Sequence, residues 1–184
     1  MVLNGIRTGA RLWSGAPRGT EMMTTQSLRK KLHLVSDPIN LDASVTEVFG
    51  MMLGADCRST NEIPMDEPET ITAVVGFGGL LSGACVFGSG GSAALTIASK
   101  LTGMELLETD DTVKDAIGEV CNMLAGAWKS RVPDLSASCG LSIPAVITGR
   151  DYFIHVQAPE FRLHRAYRFD DTTFAVTIIC DGLQ

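Results

Sequence analysis

The apolar residues fall into two kinds of pattern, divided near the last third of the chain. After Asp42, the residues Val45, Val48, Phe49, Met52 and Leu53 recur at helical spacing. Asp42 reads as the N-cap of this helix and Gly54 as its end. Residues 55–70 (ADCRSTNEIPMDEPET) are polar and acidic and read as a loop. Residues 71–77 and 80–87 read as two strands around Gly78-Gly79, which signals a hairpin. The run Gly88-Ser89-Gly90-Gly91 then turns into a short helix over 92–101. A long helix is predicted over 112–131, with Asp110 and Asp111 at its positive end. Beyond Pro133 the pattern changes to strands: 135–143 is rich in serine, and 152–158 and 174–180 alternate. Helices come first and strands last. This segregation predicts an α+β fold, an antiparallel sheet packed by helices, rather than parallel βαβ units.

Composition narrows the class. The chain has 184 residues, 45% hydrophobic and 20% charged, with a net charge of −6. That is one globular domain with room for a tail, and the acidic balance speaks against a nucleic-acid partner. The charge is uneven. Residues 1–40 hold six Lys/Arg against two Asp/Glu, and residues 41–184 hold nine against nineteen. We therefore divide the chain into a basic, flexible tail over 1–38 and a folded domain over 39–184. The tail has no apolar stretch long enough for a signal peptide or a membrane span. Its arginines imitate an organelle transit peptide, but a plain tail, or translation starting at Met22 or Met23, explains them as well. The five cysteines are odd in number, widely spaced and free of any C-x-x-C, so they read as reduced, mostly buried thiols of a cytoplasmic protein. No metal site is expected.

Two segments carry candidate chemistry. Gly88-Ser89-Gly90-Gly91-Ser92-Ala93 fits the G-x-G-x-x-A dinucleotide fingerprint, and a helix start there suits a pyrophosphate. Its preceding strand belongs to a hairpin, however, so a tight turn needing positive φ is the simpler reading. The long helix is more informative. Val113, Ala116, Ile117, Val120, Leu124, Ala127 and Trp128 share its core face, and Asp115, Glu119, Asn122 and Gly126 form a narrow stripe opposite. An exposed stripe is ordinarily a solvated face. Here Gly118 and Gly126 each cost the helix roughly 1 kcal/mol relative to Ala, and Asn122 is a poor interior choice. Small residues beside a carboxylate and an amide leave space for another surface to approach. The sequence also repeats itself: Glu47-Val-Phe-Gly50-Met-Met-Leu-Gly54 echoes Glu119-Val-Cys-Asn122-Met-Leu-Ala-Gly126 in register, 72 residues apart.

Asp115-x3-Glu119-x2-Asn122, with Pro144 standing 22 positions beyond Asn122 in LSIPAVITG, resembles the motif of the CheC/CheX/FliY family of chemotaxis phosphatases. The likeness runs from about Ile39 to Leu183 and is greatest to the CheX type, which carries one such motif. It implies a CheC-like fold with internal pseudo-symmetry, to which the echo corresponds. The first copy has Gly50 in place of the amide and is expected to be inert. The implied substrate is a phosphorylated CheY-type response regulator, with its aspartyl phosphate, a lysine and a bound Mg²⁺. The protein itself is expected to hold no cofactor. In this reading Glu119 and Asn122 are catalytic, Glu119 docking to the lysine and Asn122 aiming the attacking water. Asp115 and Gly126 belong to the partner-binding rim. The resemblance further implies a homodimer formed through the sheets, for which the C-terminal strands were expected to supply an edge. Two other readings compete: a module of the same fold that binds a regulator without hydrolysis, and a nucleotide or small-molecule sensor built on the Gly88–Gly91 turn.

Overall fold

Asp37-Pro38 starts a helix, here α1 (Pro38–Leu53), in the computed structural model, which describes residues 33, 35–62, 69–150, 152 and 159–183. Asp37 accepts a hydrogen bond from the amide of Ile39 at 3.0 Å, and proline fills the first turn, where its missing N–H costs nothing. Gly54 ends the helix in the left-handed conformation at φ 63°. Asp42 is therefore not the cap. It lies inside the helix, where its carboxylate takes two bonds from Arg165, at 3.1 and 2.8 Å, and one from the Tyr167 hydroxyl at 2.8 Å. Val35 is buried in the core ahead of this cap, so packing begins a few residues before Ile39. Most of the expected tail lies outside the described residues.

The remaining described elements are β1 (Cys57–Thr60), β2 (Thr70–Gly79), β3 (Leu81–Gly90), α2 (Gly91–Thr102), α3 (Asp111–Ser130), α4 (Pro133–Ser138), β4 (Cys139–Leu141), β5 (Ala145–Gly149), β6 (Phe161–Phe169) and β7 (Thr172–Leu183). Seven strands form one sheet in the order β1-β6-β7-β3-β2-β4, and β5 also pairs with β2. Every pairing is antiparallel. This is the α+β architecture the pattern predicted. The hairpin of β2 and β3 is present, with Val74 opposite Val86.

Several expectations need correction. Residues 55–70 contain β1, whose side chains are mostly polar because it pairs with β6 at the sheet margin. The predicted strand over 135–143 is instead α4 followed by β4, since Pro133 opens a short helical turn and Gly140 pairs with Gly78. No positive φ occurs in the Gly88–Gly91 run: β3 continues through Gly90, at φ −72°, straight into α2. The strand expected over 174–180 is β7, but it lies between β3 and β6, so it offers no edge for pairing. The strand expected over 152–158 lies outside the described residues except for Tyr152. Left-handed glycines stand elsewhere: at Gly79 (φ 110°) a Cβ would come 2.4 Å from the Ser138 carbonyl oxygen.

The core lies between the helices and the sheet. Phe49 of α1 stacks on Phe174 at 4.7 Å and meets Phe169 edge-on at 5.1 Å, while Trp128 of α3 packs against Phe77 at 5.2 Å. All five cysteines are free and buried. Burial pushes the Cys57 thiol up from 9.0 to about 12 and the Cys180 thiol up to about 11. Among the described residues no helix is long and apolar enough to cross a membrane.

Candidate active site on helix α3

Helix α3 is fixed at both ends. Asp110 caps it by accepting a bond from the amide of Val113 at 3.0 Å. In the first turn Asp111 pairs with Lys114 at 2.9 Å, and that hydrogen bond holds the Asp111 carboxyl below its usual range. At the far end the Lys129 ammonium donates to the carbonyls of Ser136 and Cys139, at 3.0 and 2.7 Å, and Arg131 pairs with Glu47 of α1. These ties leave the middle turns of α3 held as a rigid rod.

Between the ends, the periodicity sorts the side chains as expected. Val113, Ala116, Ile117, Val120, Leu124 and Trp128 are buried, and Ala127 is half-buried. Cys121 and Ala125 are buried as well, because α3 lies against β2 and β3 as well as α1 and α2. On the opposite side Asp115 and Glu119 are exposed, and Asn122 and Gly126 are half-buried. The structure thus places all four residues of the stripe on one accessible face. Asp115, Glu119 and Asn122 make no hydrogen bond or ion pair with other described residues, unlike the charged groups at the helix ends.

The two glycines of α3 differ in what they accommodate. A Cβ on Gly118 would stand 3.3 Å from Val146 and 3.4 Å from Pro144, so the surface that approaches there is this chain itself. Gly118 is buried and is explained by packing, not by a partner. A Cβ on Gly126 would meet only the Leu141 side chain at 4.0 Å, an ordinary contact, so nothing in the fold demands glycine at that position. The segment 141–146 therefore forms a wall along one side of the stripe, with Pro144 part of it. Sequence reasoning found Pro144 through its spacing but missed Leu141 and Val146, whose apolar character in a short, irregular stretch gave no periodic signal. The Gly88–Gly91 run lies between an antiparallel strand and α2, outside any βαβ unit, and does not join the α3 stripe.

An antiparallel sheet with α3 laid on it is the architecture of the CheC-like class, as comparison with known proteins shows. The family model described as "Chemotaxis phosphatase CheX" matches residues 71–164, which include all of α3 and its wall. The CheY-P phosphatase CheX of Thermotoga maritima is 31% identical over 115 residues, covering 60% of this chain and 74% of that protein. The chain belongs to the CheX family. The CheX crystal structure from Desulfovibrio desulfuricans has the same fold, with a TM-score of 0.64 at 20% identity, covering 77% of this chain and 96% of that one. The CheX–CheY–BeF3–Mg²⁺ complex of Borrelia burgdorferi aligns with a TM-score of 0.63 at 21% identity, covering 80% of this chain and 99% of that one.

Proposed function

We propose that this protein hydrolyses the aspartyl phosphate of a CheY-type response regulator, using the exposed stripe of α3. The observation that carries this reading is the pair Glu119 and Asn122: three residues apart on an anchored helix, accessible, and without side-chain partners among the described residues. Membership of the CheX family and the named activity of the Thermotoga maritima relative support it.

The chemistry asks little of the phosphatase beyond position. An acyl phosphate is already reactive, so catalysis lies in aligning the nucleophile and stabilising charge. A carboxamide both donates and accepts hydrogen bonds, so Asn122 can hold a water in line with the bond that breaks. The carboxylate of Glu119 pairs with the lysine of the regulator and sets the register of the helix. Asp115 and Gly126 contribute at the rim, one by polar contact and the other by leaving space. The Mg²⁺ of the reaction belongs to the regulator in this reading. The homodimer belongs to it too. With β7 in the interior of the sheet, such a dimer would use the sheet face bearing the half-buried Val74, Ala84 and Val86.

Asn122→Ala tests the assignment. The decay of the phosphorylated regulators of the same genome is followed with and without the protein. The variant is expected to lose roughly 10²–10³-fold in turnover while retaining its thermal midpoint. Wild-type turnover by Asn122→Ala would remove the amide from the mechanism. Binding of the regulator with no acceleration by the wild type would favour the non-hydrolytic module.

A further inference from the structure

The stretch joining β4 to β5 carries a residue that the α3 stripe leaves unused. Ile143 is 89% exposed, more than any other large hydrophobic among the described residues. Its backbone is nonetheless held firmly. The amide of Ser142 donates to the Gly76 carbonyl at 2.9 Å, and the amide of Gly76 donates to the Ser142 hydroxyl at 2.9 Å. The same hydroxyl donates to the carbonyl of Ile143 at 2.9 Å. Pro144 follows, and its ring restricts the residue before it to extended conformations. A backbone held in this way is not a fraying loop tip.

Its position along α3 follows from the two glycines. Leu141 stands beside Gly126, while Pro144 and Val146 stand beside Gly118. Gly118 and Gly126 are about 12 Å apart on the helix. Leu141 to Pro144 spans about 10 Å of extended chain. The wall therefore runs antiparallel to α3, and Ile143 comes level with the middle turns, where Asn122 lies. Single exposed apolar residues are common and need no explanation. This one sits on a hydrogen-bonded backbone at the border of a stripe whose Asp115, Glu119 and Asn122 side chains have no partners among the described residues. Protein interfaces combine such features, with apolar anchors set beside a few polar groups.

We propose that Ile143 is a partner-binding residue, a preset apolar contact that rests on the receiver domain beside its phosphoaspartate pocket while the α3 stripe enters that pocket. The proposal rests on the phosphatase reading above and adds a determinant of affinity to it. Ser142 is then a positioning residue, which fixes Ile143 through Gly76 of β2.

The test is the decay of the phosphorylated regulator over a range of regulator concentrations, using the full chain. Ile143→Asp is expected to raise KM roughly 10-fold and to keep kcat within about twofold, whereas Ile143→Leu keeps KM near the wild-type value. Both variants are expected to melt with the wild type, because Ile143 stands outside the core. An unchanged KM in Ile143→Asp overturns the role of Ile143 and leaves the reading of α3 intact. A loss confined to kcat overturns it as well. If the wild type accelerates the decay of no regulator from its genome, the phosphatase reading falls and this inference falls with it.

Discussion

Helices α1 and α3 carry the same short pattern and put it to different uses. In α1 the polar side chains are committed to the fold. Asp42 accepts three hydrogen bonds from Arg165 and Tyr167, Glu47 is paired with Arg131, and Gly50 has no side chain to offer. In α3 the ion pairs among the described residues are confined to the ends, and Asp115, Glu119 and Asn122 in the middle have no side-chain partner among those residues. The exposed Glu47 carboxylate is shared with Arg131, whereas that of Glu119 has no partner among the described residues. On the reading proposed above, repetition of the pattern therefore need not mean repetition of activity.

The strongest way to break this contrast is to remove the anchor of α1. Asp42→Ala leaves the Arg165 guanidinium and the Tyr167 hydroxyl without their acceptor, and is expected to cost about 1–3 kcal/mol in urea unfolding. Turnover per folded molecule is expected to stay at the wild-type level, since the α3 stripe is untouched. A loss of turnover with no loss of stability would mean that α1 contributes to the site after all.

A smaller effect sharpens the comparison of the two glycines. No atom lies within 4 Å of a Cβ built on Gly50, and Gly126 meets only Leu141 at 4.0 Å. Alanine at either position is expected to stabilise the protein by about 0.5–1 kcal/mol, the usual helical difference between Gly and Ala. The two variants should then part company in the decay assay. Gly50→Ala is expected to keep full turnover, and Gly126→Ala to lose part of it, because its methyl group stands on the partner-binding face. Equal activity would take Gly126 out of the rim.

The smallest effect lies at alkaline pH. The Cys57 thiol, behind α1, is raised by burial from 9.0 to about 12, and burial and then the Asp42 carboxylate push the Tyr167 phenol up as well. The folded state holds these protons more tightly than the unfolded chain. Their contribution to stability is therefore full below about pH 9 and is lost as the pH rises towards 12. The urea midpoint is expected to hold up to pH 9 and then to fall, and the fall should be shallower in Cys57→Ala. Equal slopes in the two proteins would show that the Cys57 thiol contributes nothing to the alkaline limb.

The parts of the fold that were legible in the sequence are those in which one face is buried and the other is wet. Helix α3 and the β2–β3 hairpin have that character, and their periodicity survives intact. Strand β6 has it too, with Leu163, Tyr167 and Phe169 alternating with Arg162, His164 and Arg168, but its basic residues obscured the apolar ones. The start of α1 was misplaced because two aspartates compete as caps. Asp37 is followed by proline, which locks the first turn, and this outweighs the closer position of Asp42 to the apolar run. The Gly-rich run was read as a turn needing positive φ, whereas β3 stays extended through Gly90 and passes straight into α2. In the candidate site, the placement of Glu119 and Asn122 on one accessible face of α3 was legible through helical spacing. Gly118 was misread as making space for a partner, because the contact it accommodates comes from Pro144 and Val146, more than twenty residues further on. The setting of Ile143 was invisible for a related reason: the hydrogen bonds that hold the backbone beside it come from Gly76, far away in the chain.

The central place of β7 has a consequence for how the molecule assembles. β7 joins β6 to β3, and Ser89 of β3 meets Phe174 of β7 across a separation of about 85 positions. Until that seam closes, the half bearing α3 and the half bearing β6 are two incomplete layers, each with a raw strand border open to strangers. Collapse around the hairpin needs only local contacts, whereas the seam needs a long loop of chain to close, so the order of the strands raises the contact order of the fold.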